Sequence, residues 1–397
     1  MKKILAIILA ISVICALQMP IFAENTTKNE AESGNNYPKF GKDIEAKSAV
    51  LMEADSGKIL VSKNETAAYS PASVTKNMTL LLVAEALAEE KISLTETVNV
   101  SAYAASMGGS QVFLKEGEAM SVEELIKCTV IASANDAAVA LAELVGGSES
   151  AFVMKMNSRA MELGMENTNF ENVTGLDDTT VNHLTSALDI AIMSKELIKH
   201  DIILKYSSIW QDTIRDGAFT LTNTNRLVRF YDGCNGLKTG STAEAGYCMS
   251  ATAKRDGMQL IAVVMGAETR DKRNELAREL LDFGFANYSL FSVPETALEQ
   301  VPVYGGVKDD TMLYSSEFTA VLDKGSLSKI EKVYTIPEYI SAPVTEGEGV
   351  GKIEYFLNGK LIGESSIYAK ENIGKIDFWQ LYSRMLLSIF DKSERRG

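Results

Sequence analysis

The chain has 397 residues, of which 46% are hydrophobic and 23% are charged, which excludes a disordered tail and allows a large core in two domains. Its formal net charge of −14 disfavours DNA or RNA as a partner, because a polyanion meets a repulsive average field. The only histidines are His183 and His200, and there are four cysteines, so a zinc site built on several histidines is excluded. Nucleophilic catalysis based on histidine has to depend on one of these two residues.

The first residues of the chain have the three parts of a secretory signal peptide. Two lysines precede an apolar run over 4–17, and a small residue, Ala23, ends the segment. The apolar run is shorter than the roughly 20 residues that cross a membrane, so we predict a signal peptide over 1–23 and not a permanent membrane helix. Residues 24–43 are polar and lack apolar periodicity, which predicts a flexible leader.

Proline spacing indicates the domain plan. No proline follows Pro71 until Pro294, after which prolines become frequent. We therefore predict a first domain over 44–290, a small β-rich domain over 291–374 and a terminal segment over 375–397.

The first domain is predicted to open with a hairpin, because apolar runs at 49–52 and 59–61 flank a turn at 55–57. A core helix follows over 74–90, where the chain is apolar and has neither glycine nor proline. The remaining predictions are helices at about 121–131, 136–146, 149–164 and 185–199, strands over 247–254 and 259–266, and a helix over about 272–288. Strands at both ends of a helical block indicate an α+β domain, in which an antiparallel sheet closed by its terminal segments packs against helices.

The second domain is predicted to be all-β, because short alternating strands run from about 300 to 373 with a hairpin turn at Asn358-Gly359. The terminal segment over 375–397 has apolar residues at helical spacing, five basic against three acidic residues, and Trp379. This pattern predicts an amphipathic helix lying on a membrane surface. The alternative is a helix docked on the β-rich domain.

Residues 73–76 read Ser-Val-Thr-Lys where the long helix is predicted to begin. Positions i and i+3 share a helix face, so the Lys76 amine can reach the Ser73 hydroxyl. A desolvated lysine beside a second cation can serve as the base that a serine nucleophile needs. The alternative is a capping serine followed by a solvated lysine, and the same spacing recurs at Ser326 and Lys329.

A second polar segment lies 60 residues downstream of Ser73, at a break between two apolar helices. Residues 133–135 read Ser-Ala-Asn. The hydroxyl of Ser133 is suited to relay a proton, and the amide of Asn135 is suited to hold a substrate carbonyl. The alternative is an ordinary helix cap.

A third segment, over 236–242, reads Gly-Leu-Lys-Thr-Gly-Ser-Thr ahead of the strand predicted around Tyr247. Its glycines allow a backbone to approach a ligand closely, and Lys238 and Thr239 offer a cation and a hydroxyl to a carboxylate. The alternative is a glycine-rich turn that enters a strand.

The ordered set Ser-x-x-Lys, Ser-x-Asn and Lys-Thr-Gly is typical of penicillin-binding proteins and serine β-lactamases. Over essentially its whole length the chain closely resembles the D-alanyl-D-alanine carboxypeptidases, the low-molecular-mass penicillin-binding proteins. The segments that carry the resemblance are 71–76, 105–110, 131–137, 223–227 and 236–242. The resemblance implies a β-lactamase/transpeptidase-like catalytic domain, a peptidoglycan stem peptide ending in D-Ala-D-Ala as substrate, and acylation by β-lactams. It implies neither a cofactor nor a metal.

The resemblance also implies a role for each candidate residue. Ser73 would attack the peptide bond between the two D-alanines with Lys76 as its base, and Ser133 would pass a proton to the leaving amine. The implied binding residues are Asn135 for the substrate amide, Lys238 and Thr239 for the terminal carboxylate, and the backbone N–H groups of Ser73 and Ser241 for the oxyanion.

A transpeptidase or endopeptidase that acts on cross-links uses the same acylation, so that choice stays open in the sequence, and two further functions are considered. A class A β-lactamase needs a glutamate and an asparagine to activate a deacylating water, but residues 169–175 lack that family's Glu-x-x-Leu-Asn pattern. A catalytically silent penicillin-binding sensor is disfavoured because all three motifs are intact. Ser241 stands where some carboxypeptidases have His or Tyr, which leaves the rate and the leaving-group preference open. We expect an exported protein held peripherally at the outer face of the cytoplasmic membrane or in the cell wall.

The histidines and cysteines are given structural roles. A general-base role is not expected for His183, since Lys76 fills it, and His200 is placed where a helix closes. The three cysteines beyond the signal peptide form no Cys-x-x-Cys pair, so a disulfide framework is not indicated, although one pair is compatible with the sequence.

Overall fold

The computed structural model describes residues 39–178 and 180–394. The predicted signal peptide over 1–23 lies outside the described residues, as does the predicted leader up to residue 38. Three cysteines lie in the described part of the chain, and all three are free thiols there, with Cys128 and Cys248 buried.

The described residues form two regions, one of mixed helices and strands and one of strands. The α-helices are α1 (Lys76–Ala88), α2 (Ala102–Ala105), α3 (Val122–Ile131), α4 (Asn135–Gly146), α5 (Glu149–Glu162), α6 (Ala187–Leu197), α7 (Asp201–Ser207), α8 (Leu227–Phe230), α9 (Arg270–Asn287) and α10 (Phe378–Glu394). The strands of the first region are β1 (Ser48–Glu53), β2 (Ile59–Lys63), β3 (Thr97–Asn99), β4 (Ala119–Ser121), β5 (Gln211–Ile214), β6 (Phe219–Thr222), β7 (Cys234–Thr242), β8 (Gly246–Arg255) and β9 (Met258–Ala267). The strands that follow are β10 (Tyr288–Val293), β11 (Thr296–Tyr304), β12 (Asp310–Ser315), β13 (Phe318–Asp323), β14 (Ile330–Thr335), β15 (Ile340–Ser341), β16 (Gly349–Leu357) and β17 (Lys360–Ala369).

Five strands form an antiparallel sheet in the order β2-β1-β9-β8-β7. The first strand of the region pairs with one of its last, since Ser48 of β1 lies opposite Met265 of β9. The predicted sheet closed by its terminal segments is therefore confirmed. β7, at one edge, is the strand that carries the Lys-Thr-Gly motif.

Strand β9 is buried on both faces, which explains its continuous apolar sequence. Ile261 and Val263 point into a large core shared with α1, α3, α4 and α6. Leu260 and Ala262 point into a second core, formed with α9 on the opposite face. The sheet is thus a middle layer between two layers of helices.

The six helices predicted in the first domain are all present, and their observed ends lie within about two residues of the predicted ones. The alternative of a glycine-rich turn for residues 236–242 is wrong, because they lie within β7 and pair with β8 from Gly236 to Thr242. Hydrogen bonding to the neighbouring strand outweighs the low strand propensity of glycine at this edge. The sequence pattern also missed the helix α7 and the small hairpin of β5 and β6.

The second region is a six-stranded sheet in the order β14-β16-β17-β12-β11-β15, with a separate pair of β10 and β13. Its own core includes Leu313, Ile353 and Ile367. The predicted hairpin turn is present between β16 and β17, where Asn358 and Gly359 both have positive φ, 51° and 77°. This is the backbone that an Asn-Gly turn favours, so the all-β prediction for this region is confirmed.

The last helix, α10, leaves its apolar side chains exposed: Phe378 is 70% and Trp379 is 72% exposed. Its polar side is tied to the β-rich region, since the Arg384 guanidinium donates to the carbonyl oxygens of Gly306 and Val307. In the described part of the chain no single helix has the length and apolar content to cross a membrane. The helices α4 and α5 have that length and apolar content only when taken together, and they are bent by 81° relative to each other.

Candidate active site

The turn before α1 carries Ser73. A 3₁₀-helix over Ala72–Thr75 leads directly into α1, and Ala72 has a left-handed φ of 48°. Residues three apart in such a turn lie on one side, so Nζ of Lys76 donates to Oγ of Ser73 at 2.9 Å. Neither the 3₁₀-helix nor α1 has a side-chain cap hydrogen bond, so the alternative of a capping serine is wrong.

Lys76 is completely buried, and its amine also donates to the carbonyl oxygen of Thr174 at 2.8 Å. Burial is the main cause that lowers the pKa of Lys76 well below the ordinary 10.5. The positive charge of Lys238 lowers it further, whereas the carboxylate of Asp136 opposes the shift. This environment therefore favours the neutral form of the Lys76 amine.

Ser133 and Asn135 lie at the start of α4 with their side chains buried, 3% and 2% exposed. Nδ2 of Asn135 donates to the carbonyl oxygen of Gly108 at 2.7 Å, and α4 has no side-chain cap hydrogen bond, so the helix-cap alternative is wrong here as well. Among the described residues, Oγ of Ser133 and Oδ1 of Asn135 belong to the few buried side-chain atoms without a hydrogen-bond partner. Because buried polar atoms are nearly always paired, these two are suited to the polar groups of a ligand.

Strand β7 passes beside the Ser73 turn. A Cβ atom on Gly240 would stand 2.7 Å from the backbone nitrogen of Ser73, so this close approach requires glycine. Lys238 and Thr239 are buried, 1% and 6% exposed, whereas Ser241 is exposed. The strand therefore places a buried lysine and a buried threonine hydroxyl directly before the glycine that meets the Ser73 turn, and Ser241 directly after it.

The amine of Lys238 has a pKa lowered to about 7, first by burial and then by the positive charge of Arg273. Arg273, on α9, is itself only 3% exposed, and its guanidinium donates to the carbonyl oxygen of Cys248 at 3.4 Å. Two neighbouring cations make this corner attractive to an anion. The sequence pattern did not identify Arg273, because it lies in an ordinary helix with no motif around it.

The loop over 171–176, called the supporting loop, contacts the Lys76 amine and the Ser73 turn. The sequence pattern did not indicate this role. The carbonyl of Thr174 holds the Lys76 amine, as described above. Oδ1 of Asn172 accepts from the backbone nitrogen of Gly175 at 2.7 Å, which closes the turn. Gly175 has a φ of 80°, and a Cβ atom on it would lie 1.8 Å from the carbonyl oxygen of Ala72. The Asn-x-x-Gly spacing was the only signal that a tight turn lies here.

Asp136 is a second residue that sequence reasoning missed. Its carboxylate is completely buried and accepts from the backbone nitrogens of Val112 and Leu114, at 3.1 and 3.0 Å. It thereby holds the segment 112–114 against the start of α4, next to Ser133. A carboxylate directly after the Ser-x-Asn motif was the available signal.

The structure thus brings the three predicted motifs together from the start of α1, the start of α4 and the edge strand β7. Ser326 and Lys329 are not part of this cluster, since they lie in the β-rich region between β13 and β14. In the described parts of the chain, no three side chains of His, Cys, Asp or Glu are grouped so that they could hold a metal ion.

Comparison with known families agrees with this geometry. The family described as D-alanyl-D-alanine carboxypeptidase matches residues 31–269, and the penicillin-binding protein 5, C-terminal domain, matches residues 285–375. The chain belongs to the D-alanyl-D-alanine carboxypeptidase family. This carboxypeptidase is accordingly a serine peptidase and a low-molecular-mass penicillin-binding protein, which confirms the family and the enzyme class predicted from the motifs.

Individual relatives support the assignment over nearly the whole carboxypeptidase chain. The D-alanyl-D-alanine carboxypeptidase DacF of Bacillus subtilis is 41% identical over 394 residues, which cover 97% of this chain and 98% of that protein. Penicillin binding protein 5 of Haemophilus influenzae is 33% identical with a TM-score of 0.73, over 84% of this chain and 99% of that one. Penicillin-binding protein D2 of Listeria monocytogenes, in its ampicillin-bound form, is 31% identical with a TM-score of 0.57, over 62% of this chain and 99% of that one. The predicted fold class is confirmed by these structures.

Proposed function

We propose that this carboxypeptidase uses Ser73 as its nucleophile and Lys76 as the base that activates it. The observation that carries the proposal is the 2.9 Å contact between Oγ of Ser73 and Nζ of a completely buried lysine. Burial favours the neutral amine, which takes the hydroxyl proton as the new bond to carbon forms. The carbonyl of Thr174 keeps Nζ oriented toward the serine.

The substrate is a peptidoglycan stem peptide that ends in D-Ala-D-Ala. Oγ of Ser73 attacks the carbonyl carbon of the penultimate D-alanine while its proton passes to Lys76. The C–N bond to the terminal D-alanine then breaks, and the leaving amine receives a proton through Ser133. Water hydrolyses the resulting ester, which releases the shortened peptide and restores the serine hydroxyl.

The buried polar groups around the serine hold the substrate. The free Oδ1 of Asn135 is available to accept from the substrate amide, and the cationic Lys238 with the hydroxyl of Thr239 binds the terminal carboxylate. The backbone N–H groups of Ser73 and Ser241 stabilise the oxyanion of the tetrahedral intermediate. Each such donor is typically worth about 3 kcal/mol in the transition state.

Acylation by β-lactams belongs to the same proposal, and the ampicillin-bound Listeria relative supports it. Purified protein treated with penicillin should carry one adduct, and peptide mapping by mass spectrometry should locate it on the peptide that contains Ser73. The same protein should release D-alanine from a synthetic stem pentapeptide. An adduct on any other peptide, including the one with Ser326, would overturn the assignment of the nucleophile.

A β-lactamase is the less favoured alternative because Glu171, the carboxylate of the supporting loop over 171–176, is already engaged. It accepts from the backbone nitrogens of Val181 and Asn182 at 2.8 and 3.1 Å and so closes a surface loop. Rapid turnover of penicillin by the purified protein would favour the β-lactamase. Absence of D-alanine release together with stable labelling would favour the silent sensor.

We further propose that the protein acts outside the cytoplasm, held at the outer face of the membrane by α10. The exposed apolar side chains of this helix, among them Phe378, Trp379 and Met385, fit a helix that lies in a membrane interface. Arg384 ties the polar side of the helix to the β-rich region, so the apolar side faces away from it. This arrangement argues against the alternative of a helix docked by its apolar face.

The anchoring proposal is tested by co-sedimentation with phosphatidylglycerol-containing vesicles. The full chain should sediment, whereas a chain that ends at Ile373 and the full chain with Phe378→Gln and Trp379→Gln should stay in solution. Ser383→Ala, on an exposed polar position of the same helix, is the matched control and should sediment as the unaltered chain does. Full sedimentation of the shortened chain would rule the idea out.

A further inference from the structure

His183 is a buried histidine that the proposed reaction does not use. It follows the supporting loop, and its ring is 4% exposed and packs against the ring of Phe170 at a centroid distance of 5.7 Å. Its two nitrogens contact different segments of the chain. Nδ1 accepts from the backbone nitrogen of Glu171 at 2.9 Å, and Nε2 lies 2.8 Å from Oγ1 of Thr75.

These contacts determine which nitrogen carries the proton. Nδ1 accepts from a backbone N–H and is therefore unprotonated, so the neutral ring has its proton on Nε2. Burial lowers the pKa of His183 to about 4, which keeps the ring neutral at neutral pH. Nε2–H consequently donates to Oγ1 of Thr75, and Oγ1 in turn donates to the carbonyl oxygen of Ala72 at 2.8 Å.

The end of this chain of hydrogen bonds is the peptide unit before the nucleophile. The carbonyl of Ala72 and the N–H of Ser73 belong to one planar peptide, so fixing the direction of the first fixes the direction of the second. Ala72 has a left-handed φ of 48°, which costs an alanine energy and needs support from its surroundings. That N–H is the proposed oxyanion donor next to Gly240 of β7.

We propose that His183 is a positioning residue for acylation: through Thr75 it holds the Ala72–Ser73 peptide so that the Ser73 N–H points at the developing oxyanion. The inference rests on the proposed role of Ser73. His183 touches neither substrate nor nucleophile, and it acts by joining the loop at Glu171 to the nucleophile turn. A transition-state donor misplaced by a fraction of an ångström weakens acylation more than it weakens substrate binding.

Two substitutions at His183 separate its two contacts. His183→Asn keeps an acceptor near Nδ1 for the Glu171 N–H but has no group near Nε2, whereas His183→Gln has an amide that reaches toward Thr75. The measurement is the second-order rate constant for acylation by a fluorescent penicillin, normalised to the concentration of protein that the penicillin can label at saturation. The melting temperature is recorded alongside. We expect His183→Asn to acylate about 10- to 100-fold more slowly per site, and His183→Gln to stay within about threefold of the unaltered protein.

Substitutions at Thr75 test the next contact. Thr75→Val removes the hydroxyl and should slow acylation as much as His183→Asn does, whereas Thr75→Ser keeps it and should restore the rate to within about threefold. The double variant with His183→Asn and Thr75→Val should be no slower than either single one, because both break the same chain. With a stem pentapeptide, the loss should appear in kcat with KM little changed. If His183→Asn leaves no protein that can be titrated, the two Thr75 variants alone decide the question.

His200→Asn is the matched control, because the other histidine lies outside the site and should leave the acylation rate unchanged. A normal rate per site in His183→Asn or Thr75→Val, equal losses in His183→Asn and His183→Gln, or additive losses in the double variant would overturn the inference. If the penicillin adduct lies on Ser73 while these variants acylate normally, only the positioning role of His183 is rejected. If the adduct is not on Ser73, both the positioning role and the proposed function are rejected.

Discussion

The chain contains two Ser-x-x-Lys segments, and both fold into a short 3₁₀-helix, over Ala72–Thr75 and over Leu327–Lys329. Around the first, a completely buried lysine meets the serine hydroxyl and the carbonyl of Thr174, a residue 98 positions away. Around the second, Lys329 is exposed in a surface turn between β13 and β14.

The difference shows that the local spacing supplies only reach, whereas the chemistry comes from burial and from distant partners. A lysine in water keeps its proton, and an amine without a lowered pKa is a poor base at neutral pH. The pKa of Lys76 is lowered by burial and by the positive charge of Lys238 on the edge strand β7, while Asp136 at the start of α4 opposes the shift. The carbonyl of Thr174 in the supporting loop holds its amine. The following predictions test this contrast.

The largest effect is expected from removing the two serines separately. Ser73→Ala should abolish labelling by penicillin and reduce D-alanine release by at least about 10⁴-fold, because no other nucleophile replaces it. Ser326→Ala should leave both unchanged. The measurements are adduct mass and the initial rate on a stem pentapeptide. Labelling that persists in Ser73→Ala would contradict the contrast between the two segments.

Replacing the two lysines by arginine tests whether Lys76 acts as a base. Arginine keeps the positive charge but does not deprotonate in proteins, so Lys76→Arg should slow acylation by about 10²- to 10⁴-fold. Lys329→Arg should have no effect, since its side chain is exposed. Stopped-flow acylation by a chromogenic cephalosporin measures both variants. Near-normal acylation by a folded Lys76→Arg protein would mean that another group removes the proton.

Two glycines with nearly the same backbone test the supporting loop. Gly175 and Gly325 have φ values of 80° and 84°, but only at Gly175 would a Cβ atom overlap another group, the carbonyl oxygen of Ala72. Gly325→Ala should cost about 1 kcal/mol for its left-handed backbone alone. Gly175→Ala should cost more than about 2 kcal/mol and slow acylation by about tenfold, because it displaces the Ser73 turn.

Urea unfolding and the acylation rate per titrated site measure the two glycine variants. Equal stability losses with equal acylation rates in both would show that the loop does not support the turn.

The smallest effect concerns pH. Burial and Arg273 lower the pKa of Lys238 to about 7, so in the free enzyme its positive charge is present below pH 7 and is lost as pH rises through that value. Because the cation is needed to bind the substrate carboxylate, kcat/KM should decline above about pH 7. Lys238→Arg should move that decline to higher pH, even if the plateau is lower. An unchanged midpoint in the arginine variant would assign the decline to another group.

Several features could be predicted from particular residues. The Asn358-Gly359 turn, the core helix and the strand β9 follow from local propensity and apolar pattern, which act over a few residues. The three motifs were recognisable because each combines reactive side chains with a fixed spacing. By contrast, Thr174 contributes through its backbone carbonyl, which every residue has, and Arg273 contributes through its charge from an ordinary helix. Neither residue type carries a signal in sequence.

The sequence by itself determined the family, the α+β and all-β parts, and which serine, lysine and asparagine were candidates, because these depend on residue type and spacing. Only the tertiary structure decided that Lys76 is buried between Thr174 and Lys238, that the glycine-rich segment is an edge strand, and that His183 joins a loop to the nucleophile turn. The physical reason is that burial, pKa and hydrogen-bond partners depend on segments that lie far apart in the chain, such as Lys76 and Thr174, which are 98 residues apart. These segments meet only when the two cores on either face of the sheet form.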